Sequence, residues 1–199
     1  DMVERAVRGY RQQIISFKDD TFTADRRRVL AICDGIRQRQ LHFVWSCETR
    51  ADHLDEAVLK SMRRAGCQRI SIGVESGDEE ILKNIRKRVS PPLVAQATAA
   101  AQRFGIRVRY YLMVGNRGET EETFRRTLDF ISAARPNQFV FTQLHLYPGT
   151  KEFDIFCKDG IVTSQIYFDR DFAHLTCFAG KSEDADREQR AELHDGFQR

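Results

Sequence analysis

The residues best suited to chemistry in this 199-residue chain sit in short polar clusters, each closing a strand-like run: Lys18-Asp19-Asp20-Thr21, Glu48-Thr49-Arg50, Glu75-Ser76, Gly115-Asn116, and His145 with Tyr147. Carboxylates, cations, hydroxyls and an imidazole are the means of general acid–base catalysis, for which Glu75 and His145 are candidates. They are equally the means of gripping a small charged ligand by opposed charges. Glu75 follows Ile70, Ile72 and Val74, β-branched residues alternating with small ones, which read as a short buried strand. Ser76 and Glu79 then have the S-x-x-E form of a capping box, so a helix is expected to start at once. Parallel α/β folds keep their chemistry where a buried strand gives way to a helix. A solvated loop acid is the alternative for Glu75, and the stretch fits both.

The elements that must position these residues recur at regular intervals. Strand-like runs begin near Ile14, Leu41, Ile70, Val108 and Gln138, each followed by a helix-like run. They cover Gln13–Phe17, Leu41–Ser46, Ile70–Val74, Val108–Val114 and Gln138–Leu146. A spacing of about 30 residues is that of β-α-β units, whose crossovers are right-handed and whose sheet is parallel. Thr23 is the expected cap of the helix after the first strand, with Asp25 in its first turn. Gly66 should stop the helix that begins near Asp55, and Ser90-Pro91-Pro92 should open another. Thr120 should cap a helix to Ala134 with Phe124, Leu128 and Ile131 inward. A short helix to Lys158 and a polar one from about Ser182 complete the reading. Polar clusters on all five strand ends favour a barrel section, since a doubly wound sheet concentrates its ligand at one switch point. No G-x-G-x-x-G or P-loop is present. Five strands fit an open part of a barrel: an α/β fold, a parallel-sheet partial TIM-type (β/α) barrel.

Composition narrows the class. Hydrophobic residues make up 41% and charged residues 31%, as in a soluble globular domain, and no apolar run is long enough to span a bilayer. A net charge of +3 is too small to argue for nucleic acid, and Arg26-Arg27-Arg28 and Arg86-Lys87-Arg88 read as solvated helix faces. The five cysteines (Cys33, Cys47, Cys67, Cys157, Cys177) show no C-x-x-C spacing, which suggests reduced thiols in a cytoplasmic protein.

With these residues in view, the chain resembles the radical S-adenosylmethionine (SAM) enzymes, particularly those related to cobalamin-binding members. The resemblance covers about Met2 to Asp159 and rests on an ordered set: FKDDTFT, WSCETRADHLD, AGCQRISIGVESGDEEIL with Lys87 beyond, YYLMVGNRGETEETF, and LYPGT. It implies a partial (β/α)₆ barrel with SAM across the strand ends. Asp19, Asp20 and Thr21 match a turn receiving the methionine amino group, and Glu48, beside Arg50, matches an acid near SAM. Glu75 and Ser76 lie in G-V-E-S, and Lys87 matches a base meeting the methionine carboxylate. Tyr111 matches a ribose-facing residue, Gly115 lets the backbone approach the nucleoside, and His145 and Tyr147 close the last strand. An ordinary surface ion pair is the alternative for Glu75 and Lys87.

The chain departs from the family in its GNRGET turn, which lacks the usual proline, and in LYPGT, which lacks an upstream one. It also lacks the C-x-x-x-C-x-x-C loop for the [4Fe–4S] cluster. The resemblance therefore implies a fragment, residues 1–160 being the barrel core without its first strand and cluster loop and 161–199 a C-terminal extension. The intact parent would cleave SAM reductively for methyl transfer or ring rearrangement, with the cluster and in some members cobalamin. The chain alone should be inactive and bind no cluster, and its first strand, left as a sheet edge, should either favour self-association or be covered by the N- or C-terminal helix. A degenerate nucleoside-binding barrel without redox chemistry is the alternative, and the substrate is not named by any motif.

Overall fold

A computed structural model describes residues 2–162 of the chain. These fall into two compact units, the first comprising residues 2–112 with Thr120–Thr142, the second Met113–Glu119 with residues 143–162. The polar helix expected from Ser182 lies outside the described residues.

The chain opens with α1 (Met2–Glu4), prolonged by a π-helical turn over Arg5–Gly9. Strands and helices then alternate: β1 (Ile14–Phe17), α2 (Arg26–Gln38), β2 (Val44–Thr49), α3 (Glu56–Arg64), β3 (Cys67–Glu75), α4 (Glu79–Asn84), α5 (Pro91–Arg103), β4 (Arg107–Val114), α6 (Glu121–Ala134) and β5 (Gln138–Gln143). The strands form one sheet in sequential order, with β1 through β4 pairing in parallel. This is the open (β/α) barrel section expected from the strand spacing.

The two faces of the sheet differ. Trp45, Cys47, Ile70, Ile72, Val108, Tyr110 and Leu112 are buried, together with Val29 and Cys33 of α2, Leu59 and Met62 of α3, and Val94 and Ala101 of α5. Residues between them in the strands (Ser46, Glu48, Gly73, Arg109, Tyr111) are only partly buried. Period-two alternation thus sends one set of side chains under the helices and leaves the other on an open face. Polar groups under the helices find partners: Trp45 donates its indole N–H to the Ala65 carbonyl at 2.7 Å, and Tyr110 pairs with the Thr98 hydroxyl at 2.6 Å.

Several boundaries differ from expectation. The second strand begins at Val44 because β1 pairs from Ile14↔Val44 onward, while Leu41 and Phe43 pack into the core outside the ladder. Asp25, not Thr23, caps α2, accepting from the N–H groups of Arg27 and Arg28, whereas Thr23 is buried against the Thr49 hydroxyl. Asp78, not Ser76, caps α4. In α6 the buried residues are Thr123, Thr127 and Ile131, and Leu128 is exposed. The fifth strand ends at Gln143, so His145 lies past it.

In the second unit, Leu146, Phe153, Phe156 and Val162 form a small core around α7 (Lys151–Lys158), capped by Thr150. Burial pushes the Glu119 carboxyl up, and this group accepts the Gly115 N–H at 2.5 Å.

Gly66 meets two constraints at once, a φ of 97° and a place where a Cβ would stand 2.3 Å from the Phe43 carbonyl oxygen. Gly66→Ala is expected to lower stability by about 2–3 kcal/mol, left-handed strain and a backbone clash acting together. Urea unfolding measures this, and an unchanged midpoint would contradict the stop assigned to Gly66.

Candidate functional site

A cavity of about 280 Å³ lies in the first unit, lined by Asp20, Thr21, Glu48, Thr49, Arg50, Ser71, Gly73, Glu75, Lys87 and Tyr111. Small-molecule sites commonly start at about 300 Å³. The lining comes from the loop after β1, from β2, β3 and β4, and from the segment after α4, elements separated in sequence and joined by the parallel register. Glu48 pairs with Ser71 across β2–β3, and Gly73 with Tyr111 across β3–β4.

Glu75 occupies a special position. As the last residue of β3 it has a φ of 69°, uncommon for any residue but glycine. The ladder slips there: Gly73 faces Tyr111 and Glu75 faces Leu112, so β3 carries one more residue than β4. Such a bulge re-aims a side chain, here toward Lys87, whose Nζ donates to Glu75 Oε1 at 2.9 Å. Both side chains are 21% exposed, which leaves the pair reachable from the cavity. A Cβ on Gly73 would lie 3.0 Å from that oxygen and 3.2 Å from that nitrogen, so the missing side chain makes room for the pair.

The strained end of β3 is anchored from behind. Ser76 is 1% exposed, its hydroxyl bonded to that of Thr127 at 3.1 Å and accepting the Asp78 N–H at 3.1 Å. Thr127 also accepts the Gly77 N–H at 3.0 Å, and Gly77 packs so closely on α6 that a Cβ would meet Phe130 Cβ at 2.7 Å. Burial opposes ionisation of Asp78, yet the N–H groups of Ile81 and Glu80 and the Arg126 guanidinium hold its carboxyl below the usual range. Elsewhere around the cavity, Lys18 lies 3.5 Å from Glu48, and Arg50 grips Asp52 through two bonds of 3.0 and 2.9 Å.

Seven of the sequence-predicted residues therefore line one cavity: Asp20, Thr21, Glu48, Arg50, Glu75, Lys87 and Tyr111. Asp19 instead pairs with Arg28 at 2.7 Å, and Ser76 is held in the α6 contact; neither is in the lining. Gly115 (φ 88°), His145 and Tyr147 belong to the second unit, where the two rings lie 6.5 Å apart and Tyr147 is exposed. Thr49 was part of the polar cluster closing the second strand; Ser71 and Gly73 were not anticipated. The signal for Ser71 and Gly73 was present, since both precede Glu75 at even spacing on one strand face.

A parallel (β/α) section whose polar groups gather at the carboxyl ends of its strands defines a barrel with its ligand site at that end. The chain belongs to the radical SAM superfamily, whose sequence pattern it matches over residues 1–131. It is 32% identical over 137 residues to an uncharacterised methyltransferase of Pyrococcus horikoshii, a match covering 69% of this chain and 30% of that protein. It is 25% identical over 162 residues to the bacteriochlorophyllide d C-12(1)-methyltransferase of Chlorobaculum tepidum, covering 77% and 35%. The fold superposes on the radical SAM methyltransferase TsrM of Kitasatospora setae, solved with cobalamin and a [4Fe–4S] cluster bound, with a TM-score of 0.71 at 17% identity. That superposition covers 78% of this chain and 32% of TsrM, so the chain spans about a third of the length of these relatives.

The family implies two groups. The amino-acid end of SAM fits the cavity chemically, because a carboxylate, an ammonium and hydroxyls converge where Gly73 offers no side chain. A cluster does not fit the described cysteines. Cys33, Cys47 and Cys67 are buried in the core, and among the described residues no group of three or more metal-ligating side chains is placed to hold a metal ion. Burial raises the Cys33 thiol to about 11, and the Cys67 sulfur, followed by burial, raises that of Cys47; iron–sulfur ligation needs thiolates.

The Asp78 network gives stability a definite pH dependence. A carboxyl depressed in the folded state contributes stability that is complete above its unfolded value of about 3.9 and is lost as pH falls through the folded value. Urea midpoints of the wild type should therefore fall below about pH 4 more steeply than those of Asp78→Asn. Parallel curves would contradict the anchoring role of Asp78.

Proposed function

We propose that this chain supplies the SAM-binding part of a radical SAM enzyme that cleaves SAM reductively to begin radical chemistry, with methyl transfer or a ring rearrangement as the outcome. The observation that carries this reading is the Glu75–Lys87 pair facing a cavity at the strand ends, in a chain of that superfamily. SAM carries an ammonium, a carboxylate and a sulfonium, so its recognition requires an acid and a base placed in opposition. Glu75 and Glu48 are suited to the ammonium, Lys87 to the carboxylate, and Tyr111 with Thr49 to the ribose hydroxyls. Asp20 and Thr21 offer further polar contacts from the turn after β1, and Arg50 a second cation. In the whole enzyme a [4Fe–4S] cluster, held by residues other than the described cysteines, would supply the electron for SAM cleavage, and cobalamin, bound in TsrM, would suit a methyl transfer. Gly115, Ser76, Asp19, His145 and Tyr147 are retained as site residues on the family resemblance.

Two further readings concern the whole molecule. Among the described residues no helix is long and apolar enough to cross a membrane. Cysteines recorded as free thiols suit a reducing cytoplasm, which we take as its location. Strand β1 pairs with β2 alone in the described sheet, and Ile14 is 75% exposed. An open edge of this kind favours pairing with a second copy. Light scattering should show self-association of the 199-residue chain that Ile15→Pro reduces; a monomer at all concentrations would contradict this.

SAM held without iron chelation should bind weakly, in the high micromolar range or poorer, worth about 5 kcal/mol or less. Calorimetry with Glu75→Ala and Lys87→Ala should show further loss in both. Tight binding indifferent to either substitution would place SAM elsewhere.

A further inference from the structure

The open face of the sheet changes sign along the strands. Toward the carboxyl ends it carries Glu48 and Glu75; in the preceding half it carries Arg69 of β3 with Arg107 and Arg109 of β4. Arg69 and Arg107 are register partners across the parallel ladder, and Arg109 is the partner of Ser71, which lines the cavity. Register partners stand about 4.8 Å apart and residues two apart on a strand about 6.6 Å, so three guanidinium stems rise from one small area.

None of the three forms an ion pair among the described residues. Arg69 is partly buried, and its Nε is a buried donor with no hydrogen-bond partner among the described residues. Arg109 is fixed by bonds of 3.1 and 2.8 Å from Nε and Nη2 to the Gln138 amide oxygen, a neutral acceptor that orients the fork without cancelling its charge. Like charges gathered on one face, Arg107 exposed but Arg69 and Arg109 partly buried and Arg69 with an orphaned donor, are costly unless an anion joins them. Guanidinium forks match the planar, two-oxygen edge of an oxyanion.

We propose that Arg69, Arg107 and Arg109 form a subsite for an oxyanion group of the substrate, a carboxylate or a phosphate, and thereby that the substrate is anionic. The inference deepens the SAM reading and rests on it only for the word substrate. Arg109 precedes the cavity residue Tyr111 by two positions, about 6.6 Å along the strand, so an anchored anion leaves the rest of a small molecule lying toward the cavity. Gln138 positions Arg109 and has no contact with substrate assigned to it.

The test follows the arginine Nε–Hε resonances of the full 199-residue chain during titration with succinate and, separately, with inorganic phosphate, each with and without SAM. Saturable shifts at Arg69 and Arg109 are expected with at least one probe. A response to succinate alone identifies the group as a carboxylate, to phosphate alone as a phosphate. Arg69→Gln and Arg109→Gln should each weaken that response about tenfold, the scale of one lost charge-assisted contact. They should leave SAM binding unchanged. Absence of a saturable shift with either probe in the wild type overturns the subsite, whether or not the variants fold, and so does anion binding that both variants retain in full. An anion response without any SAM response leaves the subsite standing and removes SAM from the cavity; a SAM response without an anion response does the reverse.

Discussion

A single backbone conformation, the left-handed turn of Glu75 at the end of β3, organises the site. A non-glycine residue held there costs on the order of 1 kcal/mol or more, and such strain persists only where the surroundings over-determine it. The surroundings do so from both sides. In front, Lys87 takes the carboxylate at 2.9 Å over a glycine that keeps clear of both. Behind, Ser76, Gly77 and Asp78 are tied to α6 by the Thr127 hydroxyl and the Arg126 guanidinium. The bulge converts a strand residue that would continue the alternation into one aimed across the cavity. A relaxed β conformation at Glu75 would separate the acid from its base.

The same alternation that builds the core builds the site. One face of β2, β3 and β4 is apolar and disappears beneath helices; the other carries Glu48, Ser71, Gly73 and Tyr111 with three arginines beneath them. Since the faces interleave residue by residue, the core and the ligand surface are specified by a single register, and a slip of one residue would exchange them. Acids near the strand ends and cations below them give the open face a direction, which a ligand of matching polarity would follow.

Much of this was legible in the sequence. Five strands at even spacing, the parallel barrel section, and the cavity residues Asp20, Thr21, Glu48, Arg50 and Glu75 follow from apolar runs and from what stands at their ends, whereas Lys87 and Tyr111 came from the family resemblance. What misled was competition for short polar side chains. Ser76 and Thr23 are both competent helix caps, but Thr127 and Thr49, distant in sequence, claim their hydroxyls, and the carboxylates of Asp78 and Asp25 cap instead. Thr127 is buried in α6 for the same reason, displacing the expected Leu128 from the inner face. Ser71 and Gly73 passed unnoticed because small residues announce no chemistry until a register places them around a void. The φ of Glu75 left no trace in the local sequence either, being imposed by the bulge against β4.

The central claim, that the strained Glu75 and its partner Lys87 receive the charged amino-acid end of SAM, is tested most directly by comparing SAM with 5′-methylthioadenosine, which shares the nucleoside and the S-methyl group but lacks that end and, being a neutral thioether, the sulfonium charge. Calorimetry of both ligands on the wild type and on Lys87→Met should show SAM binding more tightly to the wild type, about tenfold for one charge-assisted contact. That advantage should fall in the variant by about the tenfold of the lost Lys87 contact, while the affinity for 5′-methylthioadenosine stays the same. Equal affinity of the two ligands for the wild type, or a SAM advantage that survives undiminished in Lys87→Met, would contradict the account.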